Sequence, residues 1–179
     1  MTPFETPDDV KEQSERDRLE IARRYREQHG LELRELARPE VAGEALEVGE
    51  FSTVPIEALA AVPFLGAFLA LAARVRPSRR GLGRNVLLAL DHDAVYLLSV
   101  RPEPEGRKAS LVSRWPRSAV RVASVEPRFM REALTLEIEG GERLTLYASS
   151  LRTNPWAAAL IRALGGDAPE PLDLQPAAD

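Results

Sequence analysis

Cysteine is absent from the 179-residue chain, which excludes both disulfides and thiolate chemistry. Histidine is nearly absent. His29 lies at the end of a polar stretch and His92 sits in an expected turn, so there is little from which to build an acid–base pair. Asp91-His92-Asp93 is read as a solvent-exposed hairpin turn rather than a metal site, because no partners stand at ligand spacing elsewhere. Lysine is scarce as well. Of 24 basic residues only Lys11 and Lys108 are lysines, a bias that, with so much alanine, fits a GC-rich genome. The first nine residues carry neither a basic n-region nor an apolar h-region, so no signal peptide is expected and the cytoplasm is favoured. Ser149, Ser150 and Ser110 have no Gly-x-Ser-x-Gly context. Gly81-Leu82-Gly83-Arg84 precedes a strand and opens no helix, which excludes dinucleotide and P-loop geometry. No cofactor is expected, and no enzymatic activity.

What is present is an ordinary globular composition, 44% apolar and 29% charged, long enough for one domain with appendages. The net charge of −4 conceals a division along the chain. Residues 1–53 hold 8 basic and 14 acidic side chains, residues 74–131 hold 13 and 5, and residues 132–179 hold 3 and 8. A basic middle between acidic ends bears on partners and encounter rather than on fold.

Thr6-Pro7-Asp8-Asp9 supplies an N-cap, a proline at the first helical position and early acids, so a helix is expected over residues 8–29 with Gly30 as its stop, and residues 31–37 can add another turn before Pro39. Val10, Ile21 and Tyr25 form its thin apolar face, and the remainder is charged, as in a helix lying on or projecting from the surface. Residues 45–51 alternate as a strand with Leu46 and Val48 on one side. Residues 58–73 then run for sixteen positions without a charge, followed by Arg74, Arg76, Arg79, Arg80 and Arg84. That stretch falls short of the roughly 20 apolar residues a membrane span needs, and Pro63 and Gly66 interrupt it. Three readings stay open: a helix packed on the domain, an interfacial helix dipping into a bilayer, or a self-association surface presenting Phe64, Leu65, Phe68, Leu69 and Leu71.

Six strands are expected downstream, over residues 85–90, 94–101, 109–115, 119–125, 133–139 and 142–147. The first two are apolar on both faces and should be covered on both sides. Gly140-Gly141 makes the last hairpin turn. Asn154 caps a final helix, Pro155 opens it, Gly165-Gly166 ends it, and Trp156, Ala159, Leu160, Ala163 and Leu164 form its apolar stripe.

This order and punctuation resembles bacterial pleckstrin-homology-like domains. The resemblance rests on Val86-Leu87-Leu88-Ala89-Leu90 through Val95-Tyr96-Leu97-Leu98, Trp115-Pro116-Arg117-Ser118-Ala119-Val120, the Gly140-Gly141 hairpin and the Trp156 helix. It covers residues 44–166, with residues 58–73 as a departure. It implies an α+β fold in which seven antiparallel strands form a barrel or orthogonal sandwich closed by the C-terminal helix. The expected divisions are a polar N-terminal helix and linker (1–40), the PH-like domain (41–166) with an apolar helical insertion at 55–84, and a disordered tail (167–179). The implied role is a lipid- or protein-binding module, possessing no catalytic residues.

The candidate ligand or membrane site is therefore Arg74, Arg76, Arg79, Arg80 and Arg84, whose planar forks suit phosphate oxygens, beside the apolar surface already named. The partner would be a protein or an anionic lipid surface, with peripheral membrane association. The alternative is a structural, homo-oligomeric subunit that uses residues 58–73 as its interface. Nucleic acid is disfavoured, because the arginines are not interleaved with exposed aromatics.

Overall fold

The computed structural model describes residues 7–54, 82–128 and 131–170. Helix α1 (Pro7–Ala37) leads through a 3-10 turn (Arg38–Glu40) to strand β1 (Glu47–Ser52). Then come β2 (Asn85–Leu90), β3 (Ala94–Glu103) and β4 (Gly106–Pro116). A second 3-10 turn (Arg117–Ala119) precedes β5 (Val120–Arg128), β6 (Arg131–Ile138) and β7 (Glu142–Ser149), and α2 (Pro155–Ala163) follows. The strands form one antiparallel sheet in the order β4-β3-β2-β1-β7-β6-β5.

The expected α+β class and seven antiparallel strands are present, but the sheet is not closed. β4 and β5 are its two edges, and the register shifts in each, at Leu97/Leu98 opposite β4 and at Val122/Ser124 in β5. Such bulges sharpen local twist and interrupt pairing, a common treatment of exposed edges. β1 joins β7 through a single pair, Ser52↔Tyr147, so the sheet has a seam at its middle.

Two apolar clusters lie on opposite faces of β1–β4. Val86, Leu88, Leu90, Val95 and Leu97 point into the main core, which β6, β7 and α2 complete. Their neighbours Leu87, Ala89, Tyr96, Leu98 and Val100 point the other way, into a second core. This is why β2 and β3 read as apolar on both faces: each alternate residue has its own cover. At roughly 1.5–3 kcal/mol per large side chain buried, neither face could be left to water.

The cover on the second face is α1. Gly30 does not end this helix, since its φ is not positive and the helix continues to Ala37. Leu33, Leu36 and Ala37, spaced i, i+3, i+4, pack on the sheet. The earlier, thin apolar face stays in solvent, as in a helix lying on or projecting from the surface: Ile21 and Tyr25 are each 67% exposed. The polar composition before Gly30 suits that exposure, and the apolar residues after it explain the docking. The Thr6 cap lies outside the described residues.

α2 follows its punctuation closely. The Asn154 side chain accepts from the Ala157 amide (3.1 Å) and Pro155 opens the helix. The Gly165 and Gly166 amides bond the Arg162 and Ile161 carbonyls (both 2.9 Å), with Gly165 at φ +80°. Its buried face is Ala157, Ala158, Leu160 and Ile161 rather than the stripe through Trp156 and Ala159. The helix lies between the two halves of the sheet, so a broader face is covered. Ala168, within the span expected to be disordered, packs in the main core.

The β2–β3 hairpin is held from inside. His92 and Asp93 are exposed as expected, but Asp91 is buried. Its carboxylate accepts hydrogen bonds from the amides of Asp93 (2.8 Å) and Ala94 (2.6 Å) and from the Tyr96 hydroxyl (2.7 Å). The Arg114 guanidinium lies 5.5 Å from the Tyr96 ring centroid. Burial is the largest influence on Asp91 and pushes its carboxyl up. The bonds from Tyr96, Asp93 and Ala94, with the Arg114 charge, outweigh it and leave the group below its ordinary value. Burial and the bond to Asp91 raise the Tyr96 phenol above its ordinary value.

Candidate binding groove

The seam between β1 and β7 is where several elements converge. From the Ser52↔Tyr147 pair the two strands separate, and the start of α2 enters the gap. Trp156 belongs to the second core, while the next residues of the same helix, Ala157 and Ala158, belong to the main one. The start of α2 therefore bridges the two cores. The indole reaches α1 at Gly30, where an added Cβ would stand 2.3 Å from Nε1. It also meets His29 edge to face, with ring centroids 5.0 Å apart, and His29 stacks in turn on Tyr25 at 5.9 Å.

Beside these rings lies an open groove of about 320 Å³. It is lined by Tyr25, His29 and Trp156, by Phe51, Ser52 and Asn85, and by Tyr147, Ser149 and Asn154. Its charged groups are Glu50 and Arg131. Glu50 is compensated: one oxygen meets the Arg107 guanidinium and the other stands 3.9 Å from His29 Nε2. Nδ1 of the same histidine is 3.6 Å from Glu32. Among the described residues the Asn85 side-chain amide and the Tyr147 hydroxyl make no hydrogen bond.

Of the arginines singled out in the sequence, Arg84 is exposed just before β2, and Arg74, Arg76, Arg79 and Arg80 lie outside the described residues. So do Phe64, Leu65, Phe68, Leu69 and Leu71. Where that segment attaches is nevertheless defined. The Thr53 amide donates to the Arg84 carbonyl (2.9 Å) and the Thr53 hydroxyl to the Gly83 carbonyl (3.0 Å), so residues 55–81 leave and re-enter at one point. Arg101, Arg107 and Lys108 are at the same end of the sheet, since Asn85 pairs with Val100 and Arg101 with Lys108.

The rest of the basic middle is dispersed. Arg114 lies over Tyr96, Arg117 donates to the Ala163 carbonyl (2.9 Å), and Arg121 pairs with Glu137 (2.6 Å). Among the described residues no cluster of three or more His, Asp and Glu is placed to hold a metal ion, and no helix is long and apolar enough to cross a membrane.

The groove itself was hidden from sequence reasoning. Gly30 carried a signal, because Leu33-Leu36-Ala37 continues a helical spacing beyond it. Asn85 and Tyr147 carried none, as each reads as an ordinary strand residue. No family model, curated protein or solved structure matches the chain.

Proposed function

We propose that this chain is a non-catalytic, PH-like interaction module that engages an anionic membrane surface from the β1–β2 end of its sheet. What supports the architecture is the strand order, a seven-strand meander whose first and last strands meet at Ser52↔Tyr147, with α2 packed against the inner face. Two half-sheets joined by one pair, with a C-terminal helix packed between them, support this reading although the sheet is open between β4 and β5.

One observation carries the membrane reading. The segment holding Arg74, Arg76, Arg79 and Arg80 is tied at both ends beside exposed Arg84, Arg101 and Lys108. Arg80 precedes exposed Arg84 by four residues in the sequence. Glu103 and Glu105 in the neighbouring hairpin offset part of this charge, so the balance at this end depends on the segment's arginines. Near an anionic surface each contributes about 1 kcal/mol, and the uncharged stretch before them adds apolar contact.

Flotation of the purified protein with neutral and phosphatidylserine-containing vesicles, at low and high salt, tests this. Binding to anionic vesicles alone, lost at high salt and in Arg76→Glu/Arg79→Glu/Arg80→Glu, is the expected result. Absence of binding to either vesicle would overturn it. In that case a concentration-dependent mass, sensitive to Phe68→Asp, would favour the oligomeric subunit, and a monomer would favour a protein partner.

A further inference from the structure

We propose that the seam groove is a second binding site, adjoining the arginine-rich end, for an uncharged peptide segment that presents an aromatic side chain. The rings of Tyr25, His29 and Trp156 offer flat aromatic surface. Beside them stand two uncommitted hydrogen-bonding groups, the Asn85 amide on β2 and the Tyr147 hydroxyl on β7, either side of Ser52 in β1. An asparagine amide both donates and accepts, so it can satisfy the N–H and the C=O of a peptide backbone together.

Charge and polarity narrow the occupant. Glu50 is paired with Arg107 and Arg131 is itself engaged, so a charged occupant gains little from either group. A purely apolar chain would strip water from Asn85 and Tyr147 without replacing it, at roughly 1–3 kcal/mol for each group. The volume of about 320 Å³ is at the low end of the roughly 300–1,000 Å³ typical of ligand sites. That accommodates one large side chain with its flanking amides. An aromatic residue within an uncharged peptide meets all three conditions: planar apolar surface, neutral charge and backbone groups for Asn85 and Tyr147.

The probe is N-acetyl-tryptophanamide, titrated to millimolar concentration into the full chain and followed by amide and side-chain NMR. The expected result is a saturable shift of the Asn85 side-chain amide and the Trp156 indole N–H. Affinity should fall roughly tenfold in Asn85→Ala/Tyr147→Phe, for two lost hydrogen bonds. The unliganded Trp156 indole signal, unmoved in that variant, certifies that it folds. Arg101→Glu should bind the probe as the native chain does, whatever it does on vesicles. No saturable shift, or undiminished affinity in the double variant, would overturn the proposal. So would an equal response to methyl glucoside or inorganic phosphate, which would assign the groove to a polyol or an anion.

Discussion

Gly30 and Trp156 fit together across the seam of the sheet, the backbone of one helix against the indole of another, with no room for a Cβ between them. A glycine inside a solvent-facing helix is normally a defect worth about 1 kcal/mol, so alanine there stabilises. Here the sign should reverse. Gly30→Ala places a methyl group against three indole atoms within 3.2 Å and should destabilise by about 1–3 kcal/mol in urea unfolding. In a Trp156→Ala background the same change should become neutral or stabilising. That coupling, read from a double-mutant cycle, is the signature of the contact. Additive effects would show that the two residues do not meet.

Which face of α1 docks is checked by a pair of truncations. Leu33 is 2% exposed in the second core, and Leu33→Ala should cost about 2–5 kcal/mol. Ile21 is 67% exposed, and Ile21→Ala should fall within about 0.5 kcal/mol of zero. Comparable losses at both positions would mean that the helix docks through its earlier turns as well.

Gly49 in β1 is a second case of space rather than backbone freedom. A Cβ there would lie 2.8 Å from the Phe51 ring and 3.2 Å from the Ala157 Cα, in the backbone of α2. The ring can rotate slightly, but a helix backbone moves only with the helix. Gly49→Ala should therefore cost about 1–3 kcal/mol and raise hydrogen exchange in α2. Native exchange in α2 would count against this close approach.

The Asp91–Tyr96 pair predicts a pH dependence. A carboxyl held below its unfolded value contributes stability that is present above about pH 4 and lost as pH falls through the folded value. Tyr96, raised above its unfolded value, contributes stability present below about pH 10 and lost as pH rises through the folded value. Tyr96→Phe removes a donor from a buried carboxylate and should cost about 1–3 kcal/mol at pH 7. It should also flatten the fall in stability as pH drops below about 4, measured as the urea midpoint. An unchanged acid limb would show that the backbone amides of Asp93 and Ala94 suffice.

How far the sequence could be read follows from the range of the interactions involved. The strands of the β-domain, the Gly140-Gly141 turn and both ends of α2 are set by neighbours a few residues apart, and each was legible. The two-sided burial of β2 and β3 was legible too, because every position there is apolar. The identity of the second cover was not. Leu33 shares a core with Leu87 and Leu98, more than fifty residues away, and nothing local distinguishes a docking leucine from one that ends a solvated helix. Gly30 was misread for the same reason: its partner is far along the chain, whereas the helix-stop rule looks only nearby. The groove depends on where two strands part, a property of register that no single strand carries.

The bridge at Trp156 also has a consequence for synthesis. Gly30 and Leu33 leave the ribosome long before their partners, since β3 ends at Glu103 and Trp156 comes 126 residues after Gly30. At roughly 5–20 residues per second, α1 waits about 6–25 s before its last contact exists. A leucine stripe on an otherwise highly charged helix suits that interval. The charges keep the nascent segment in solution while the few apolar residues await the sheet, so the thin apolar face is also a safeguard against premature association.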